Sequence, residues 1–127
     1  MTNDLIAKAA IDRRLAEIRL CDRALATSGS GVQFFRHRGR RLGHILDPRT
    51  GQPAEGVLST TVLAPTAAMA DALATALYVM GAEGTRQYCR SRPEIAAVIV
   101  CPARRAGGIE VQSIGLGEDD WKPLQGT

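Results

Sequence analysis

Asp71 and Thr75 stand four residues apart in the run ADALATALYVMG, the spacing that sets two side-chain oxygens on one flank of a helix. A carboxylate and a hydroxyl are hard oxygen donors, and they suit Mg²⁺, which takes few protein ligands and leaves the rest to waters and phosphates. A D-x-x-x-T pair is common. Its simpler reading is an exposed Asp favoured by the helix dipole, with Thr75 bonding back to the backbone, and spacing alone favours that reading. A second group is His44-Ile45-Leu46-Asp47-Pro48-Arg49-Thr50-Gly51. Here His44 is able to move a proton near neutral pH and Arg49 to pair with a phosphate. The same run is equally a structural turn in which Asp47 bonds nearby backbone N–H groups. A third group, Arg36-His37-Arg38-Gly39-Arg40-Arg41, fits nucleic-acid phosphates but reads better as a solvated hairpin, since alternation sends its side chains to different faces. The Gly-rich run Ser28-Gly29-Ser30-Gly31 lacks both the Walker lysine and the dinucleotide spacing, so alone it is a weak phosphate signal.

These groups need elements to hold them. Leu5, Ile11, Leu15 and Ile18 recur at near-helical spacing and predict an amphipathic helix over 4–20, with Ile18-Arg19-Leu20 alternating enough for a strand to replace its last turn. Residues 33–37 and 40–46 predict a β-hairpin. Pro48 forces a loop at 47–51, in which Gly51 permits a positive φ. Val57–Ala64, rich in β-branched residues, predicts a strand. A helix over 66–80 ends at Gly81, and a second short helix covers 83–91. In the first helix Met69, Leu73, Leu77 and Met80 are expected to form the apolar face, with Asp71, Thr75 and Tyr78 on another stripe. The apolar run Ile95–Cys101 predicts a buried strand, and the alternating Ile109–Ile114 a half-exposed one. The order implies an α+β two-layer sandwich, mainly an antiparallel sheet with two packed helices. We divide the chain into a helical segment at 1–23, a main portion at 24–116 and a polar tail at 117–127.

Composition narrows the function. A chain of 127 residues with 45% hydrophobic and 23% charged residues is ordinary globular stock. Five aromatic residues are too few for base stacking to be the main activity, so nucleic acid is not an expected partner. No run is long enough to span a membrane, and the N-terminus carries charge where a secretory leader would be apolar, so a cytoplasmic chain is expected. The net charge of +3 comes mostly from arginine, with lysine only at Lys8 and Lys122, which favours planar contacts to phosphate or carboxylate. Cys21, Cys89 and Cys101 are odd in number and far apart, with no CxxC pair; buried, reduced thiols are expected and a zinc site is not.

Read together, HILDPRTGQPA, then VLSTTVLAP, then ADALATALYVMG closely resemble the C-terminal half of the ApbE family, the FAD:protein FMN transferases. ALATSG at 24–29, followed by the Phe34-Phe35 hairpin, is similar to that family too. The resemblance runs from about Ala24 to about Val100, with its motifs in the family's order. It implies an enzyme that cleaves the FAD pyrophosphate, joins FMN through a phosphoester to a Thr or Ser of an acceptor flavoprotein, and releases AMP. It implies Mg²⁺ at Asp71 and Thr75. By the same resemblance His44, Ile45 and Leu46 lie against the flavin nucleotide, with His44 the candidate for proton transfer. Asp47, Thr50 and Gly51 shape the loop, and Ser28 and Gly29 contact the nucleotide. Ser30-Gly31 departs from the family, where an Asn or Asp followed by an aromatic is usual. Members are much longer and are often periplasmic or lipid-anchored. The partners implied are therefore FAD, the acceptor flavoprotein, and either a separate N-terminal half or a second copy. The competing expectation is a non-catalytic remnant or partner subunit that binds flavin nucleotide or metal weakly.

Overall fold

The computed structural model describes residues 15–29, 34–37, 40–43, 45–104 and 107–124, the 34–37 and 40–43 segments through their backbone. Its centre is a four-stranded antiparallel sheet. The strands β2 (Ala24–Gly29), β7 (Ser59–Ala64), β8 (Ala96–Pro102) and β9 (Ile109–Ile114) lie in that order. All six residues of β7 are buried, as are the first five of β8. Continuous apolar runs of this kind occur where both faces of a strand are covered. One face meets the helix α1 (Ala67–Arg90): Val62, Ala64 and Ala97 of the sheet pack on Ala70, Ala74 and Leu77 of the helix. The other face meets a two-stranded ribbon of β1 (Ala16–Ile18) and β10 (Trp121–Pro123). Ile18 and Trp121 of that ribbon pack on Leu63, Ala96 and Val98. The architecture is thus α+β with antiparallel pairing and helix on sheet, as expected.

Two small ladders complete it. β3 (Phe34–His37) pairs with β4 (Arg40–Gly43), the expected hairpin. β5 (Leu46–Asp47) pairs with β6 (Gln52–Pro53) across the Pro48 turn. Among the described residues no helix is long and apolar enough to cross a membrane.

Several expectations change. Within the described residues, the final part of the N-terminal segment is the strand β1, not a helix, because its apolar Ala16 and Ile18 alternate into the ribbon's buried side; residues 4–14 lie outside the described residues. The tail contains β10, whose Trp121 supplies apolar cover that polar neighbours conceal in the sequence. β2 is a strand although Ala24–Thr27 has little β propensity, because six consecutive residues pair with β7. One expectation holds: the span Ala67–Arg90 is two helical stretches meeting at Gly81, which breaks the helix with φ 82° and ψ −179°.

The helix buries only part of the expected face: Leu77 is buried and Leu73 packs against the core, but Ala70, Ala74 and Tyr78 also face inward, whereas Met69 and Met80 are 40% and 44% exposed. Small alanines let the helix backbone approach the sheet closely, which displaces the larger methionines to the flank. Of the three thiols only Cys89 is buried; Cys21 is exposed and Cys101 is half-buried, and all are free.

Candidate functional site

Thr66 caps the helix that carries the candidate metal ligands, its hydroxyl accepting from the Met69 N–H at 3.2 Å. The inward face of that helix fixes what its other flank presents. With Ala70, Ala74 and Tyr78 buried on the sheet, Asp71 and Thr75 one turn apart are left exposed on the adjoining flank. Tyr78 does not share their stripe: it is 2% exposed and packs with Ile45, Ala54, Val57 and Ile99.

Opposite that flank is the C-terminal end of β2. The Ser28 hydroxyl lies 2.8 Å from the Thr75 hydroxyl, so strand and helix meet through side-chain oxygens. Thr27, on the neighbouring position, places its Oγ1 2.8 Å from Oγ1 of the buried Thr61. A cleft of about 530 Å³ opens here, lined by Thr27, Ser28, Gly29, Ile45, Leu46, Asp71 and Thr75. Six of these seven are residues singled out from the sequence; Thr27 is the addition, and its place just before Ser28-Gly29 was the only available signal. Ile45 is buried beneath the cleft, and Leu46 is 57% exposed at its side. The lining thus combines hydroxyl and carboxylate oxygens with apolar surface, a combination suited to a ligand with both a phosphate and a ring system.

Behind Leu46 the DPRTG turn is tightly organised. Asp47 Oδ1 accepts from the Arg49 backbone N–H at 2.9 Å and from its Nε at 3.0 Å, and Oδ2 accepts from Nη2 at 2.8 Å. The Arg49 guanidinium beside Asp47 accordingly holds that carboxyl below its usual range. The Gly51 N–H donates to the Asp47 carbonyl at 2.8 Å with Gly51 at φ 71°, the positive φ its sequence position implied. Thr50 Oγ1 accepts from the Gln52 N–H at 3.1 Å. Asp47, Thr50 and Gly51 are therefore occupied in building the turn. That turn is joined to α1, since Arg49 Nη2 also reaches the Val79 carbonyl at 3.5 Å. His44 lies outside the described residues.

Asp71 and Thr75 supply oxygen donors on one helical flank, the donor chemistry Mg²⁺ takes, and the open cleft beside them leaves room for phosphate and water. Among the described residues no three His, Cys, Asp or Glu side chains gather into a metal cluster. The donor set fits a cation shared with a bound phosphate and does not fit a closed structural site. A second cavity, of about 440 Å³, lies along the β1–β10 ribbon, where Lys122 pairs with Glu17 at 3.3 Å; it contains none of the candidate residues.

Comparison with known proteins gives a consistent picture. A model of the ApbE family matches residues 5–99. The FAD:protein FMN transferase of Escherichia coli (strain K12) is 45% identical over 67 residues, 52% of this chain and 19% of that protein. The FAD:protein FMN transferase of Treponema pallidum is 41% identical over 85 residues, 66% of this chain and 24% of that protein. Among solved structures, the ApbE protein of Thermotoga maritima superposes with a TM-score of 0.66 at 38% identity, over 80% of this chain and 33% of that one. The flavin transferase ApbE of Vibrio cholerae does so with a TM-score of 0.58 at 34% identity, over 71% and 27%. The chain spans about a fifth to a quarter of the length of these curated relatives.

Proposed function

The chain belongs to the ApbE family, and on that premise we propose that it is the nucleotide-phosphate portion of an FAD:protein FMN transferase. The observation that supports this most is the cleft itself. It gathers Asp71, Thr75, Ser28, Gly29, Ile45 and Leu46, drawn from three separate stretches of sequence, around one space.

In the proposed reaction the hydroxyl oxygen of an acceptor Thr or Ser attacks the phosphorus of FAD that becomes the FMN phosphate. A new phosphoester bond forms as the pyrophosphate P–O bond breaks, and the electron pair of that bond leaves with AMP. The acceptor proton must be removed, and His44 is the residue we assign to take it. Such transfers depend mostly on positioning and charge neutralisation. Mg²⁺, when bound, would neutralise charge on the phosphate oxygens. Asp71 and Thr75 would hold it from the helix flank. Leu46 and Ile45 give the isoalloxazine side of the nucleotide an apolar surface, while the Asp47–Arg49 turn fixes where that surface stands relative to α1. Ser28 and Gly29 close the opposite wall.

The relatives are about three to five times as long as the matched portion. We assign the rest of the nucleotide pocket to that remainder, supplied by a longer chain, a separate half or a second copy. A second reading rests on the same coverage: the chain alone binds nucleotide or metal weakly and transfers nothing.

Nucleotide binding tests the site directly. FAD titrations of the chain are run with and without Mg²⁺, for the wild type and Asp71→Ala. The proposal expects Mg²⁺ to tighten binding in the wild type and to lose that effect in the variant. Identical Mg²⁺ dependence in both proteins overturns the assignment of Asp71.

A further inference from the structure

Arg49 does not line the cleft, and its guanidinium is engaged elsewhere. Nε and Nη2 donate to the two carboxylate oxygens of Asp47 at 3.0 and 2.8 Å, a side-on bidentate pairing. Asp47 directly follows Leu46, the exposed apolar side of the cleft. The Asp47 side chain is 13% exposed and that of Arg49 68%, so a sheltered carboxylate holds a guanidinium that is itself at the surface.

The helix break supplies the second contact. Gly81, at φ 82°, ends the first helical stretch of α1. The last carbonyls of a helical stretch lack partners within it and carry partial negative charge. Two side chains meet carbonyls of this kind: Thr85 Oγ1 donates to that of Leu77 at 3.4 Å, and Arg49 Nη2 reaches that of Val79 at 3.5 Å. At that length the Arg49 contact is weaker than an ordinary hydrogen bond, and its pull is that of a cation on the negative end of a helix. The stretch that ends here is the one that carries Asp71 and Thr75 on another side of the same cleft.

Resting on the flavin-nucleotide reading of the cleft, we infer that Arg49 is a positioning residue that fixes the separation between the Leu46 side of the cleft and the Asp71–Thr75 flank, and so favours ligands that touch both. It ties the turn through Asp47 and the helix through Val79, and it touches no part of the ligand itself. A molecule that joins a ring system to a pyrophosphate spans the two sides and depends on their separation. A bare pyrophosphate meets only the flank and is indifferent to it. Lysine cannot take the place of Arg49, because an ammonium is a point charge without the planar fork that holds both Asp47 oxygens while facing Val79.

The test titrates the full chain with FAD and, separately, with inorganic pyrophosphate, both in the presence of Mg²⁺, and reads affinity by calorimetry. Arg49→Ala is expected to weaken FAD about fivefold, the most that an exposed ion pair commonly carries, and to leave pyrophosphate at wild-type affinity. Arg49→Lys is expected to give the same split. Wild-type FAD affinity in Arg49→Ala overturns the positioning role, and wild-type FAD affinity in Arg49→Lys overturns the fork, since charge alone then suffices. An equal loss for both ligands overturns the inference as well, because general loosening of the fold or a direct Arg49–phosphate contact produces that result. A wild-type chain that binds FAD and not pyrophosphate overturns the division of the ligand between the two sides. A wild-type chain that binds neither overturns the reading of the cleft and this inference with it, whereas wild-type binding of both without the split in Arg49→Ala overturns this inference alone.

Discussion

Replacing Gly81 by alanine probes how the two parts of α1 are held. Gly81 sits at φ 82° and ψ −179°, a region essentially reserved for glycine. A Cβ built there meets nothing within 4 Å, so the cost is backbone conformation and not collision. Holding a non-glycine residue in such a region costs about 1–3 kcal/mol. The reduced freedom of the unfolded chain returns about 0.4–1 kcal/mol. The net loss is then roughly 1–2 kcal/mol. For a domain of this size that lowers the melting temperature by about 4–10 °C. The structure around the break depends on it: Thr85, fully buried, donates to the Gly81 carbonyl at 2.8 Å, and the Val79 carbonyl just before the break faces Arg49. Calorimetry and urea unfolding give the magnitude, and amide exchange over residues 78–85 reports whether the break persists. A midpoint equal to or above that of the wild type refutes the reasoning, because alanine would then have continued the helix without loss and the break would not be imposed by the packing on either side.

Three further perturbations follow from the same contacts. Leu77→Ala removes a fully buried side chain from a cluster whose neighbours include Ala64, Ala70, Ala74 and Ala97. Such small neighbours cannot collapse into the void, so urea unfolding is expected to show a loss of about 2–5 kcal/mol, towards the upper end. The Asp47 carboxyl is held below its ordinary 3.8 by Arg49. A depressed carboxyl contributes stability that is complete above the ordinary value and is lost as pH falls through the lowered one. A ¹³C NMR titration is expected to place the Asp47 midpoint below 3.8, and Arg49→Ala to return it to the ordinary range; an unmoved midpoint contradicts the pairing. Burial raises the thiol pKa of Cys89, whereas Cys21 is exposed. Alkylation near neutral pH is therefore expected at Cys21 well before Cys89, and the reverse order would contradict the packing.

What was legible in the sequence followed from strong local chemistry. Pro48 and Gly51 dictate a turn whatever surrounds them, and the β-branched run at 59–64 and the alternation at 109–114 became strands. Asp71 and Thr75 reached a common flank because four residues are close to one helical turn. What was not legible depended on tertiary partners. Met69 and Met80 look like core residues by spacing, yet the sheet selects Ala70 and Ala74 because their size allows close approach. Ala24–Thr27 has no strand preference of its own and becomes a strand only against β7. Trp121 finds its apolar surroundings in a sheet face built by residues far away in sequence.

The central claim is that this cleft belongs to a flavin transferase. The most direct measurement incubates the chain with FAD, Mg²⁺ and an acceptor flavoprotein, alone and together with the portion of an ApbE protein that it does not span. Mass spectrometry reads covalent FMN on the acceptor, and chromatography reads AMP. The account predicts covalent FMN and AMP in equal amounts in the complemented mixture, and neither when Asp71→Ala replaces the wild type. Absence of covalent flavin both alone and with the complement, under conditions where the two portions bind each other, contradicts it.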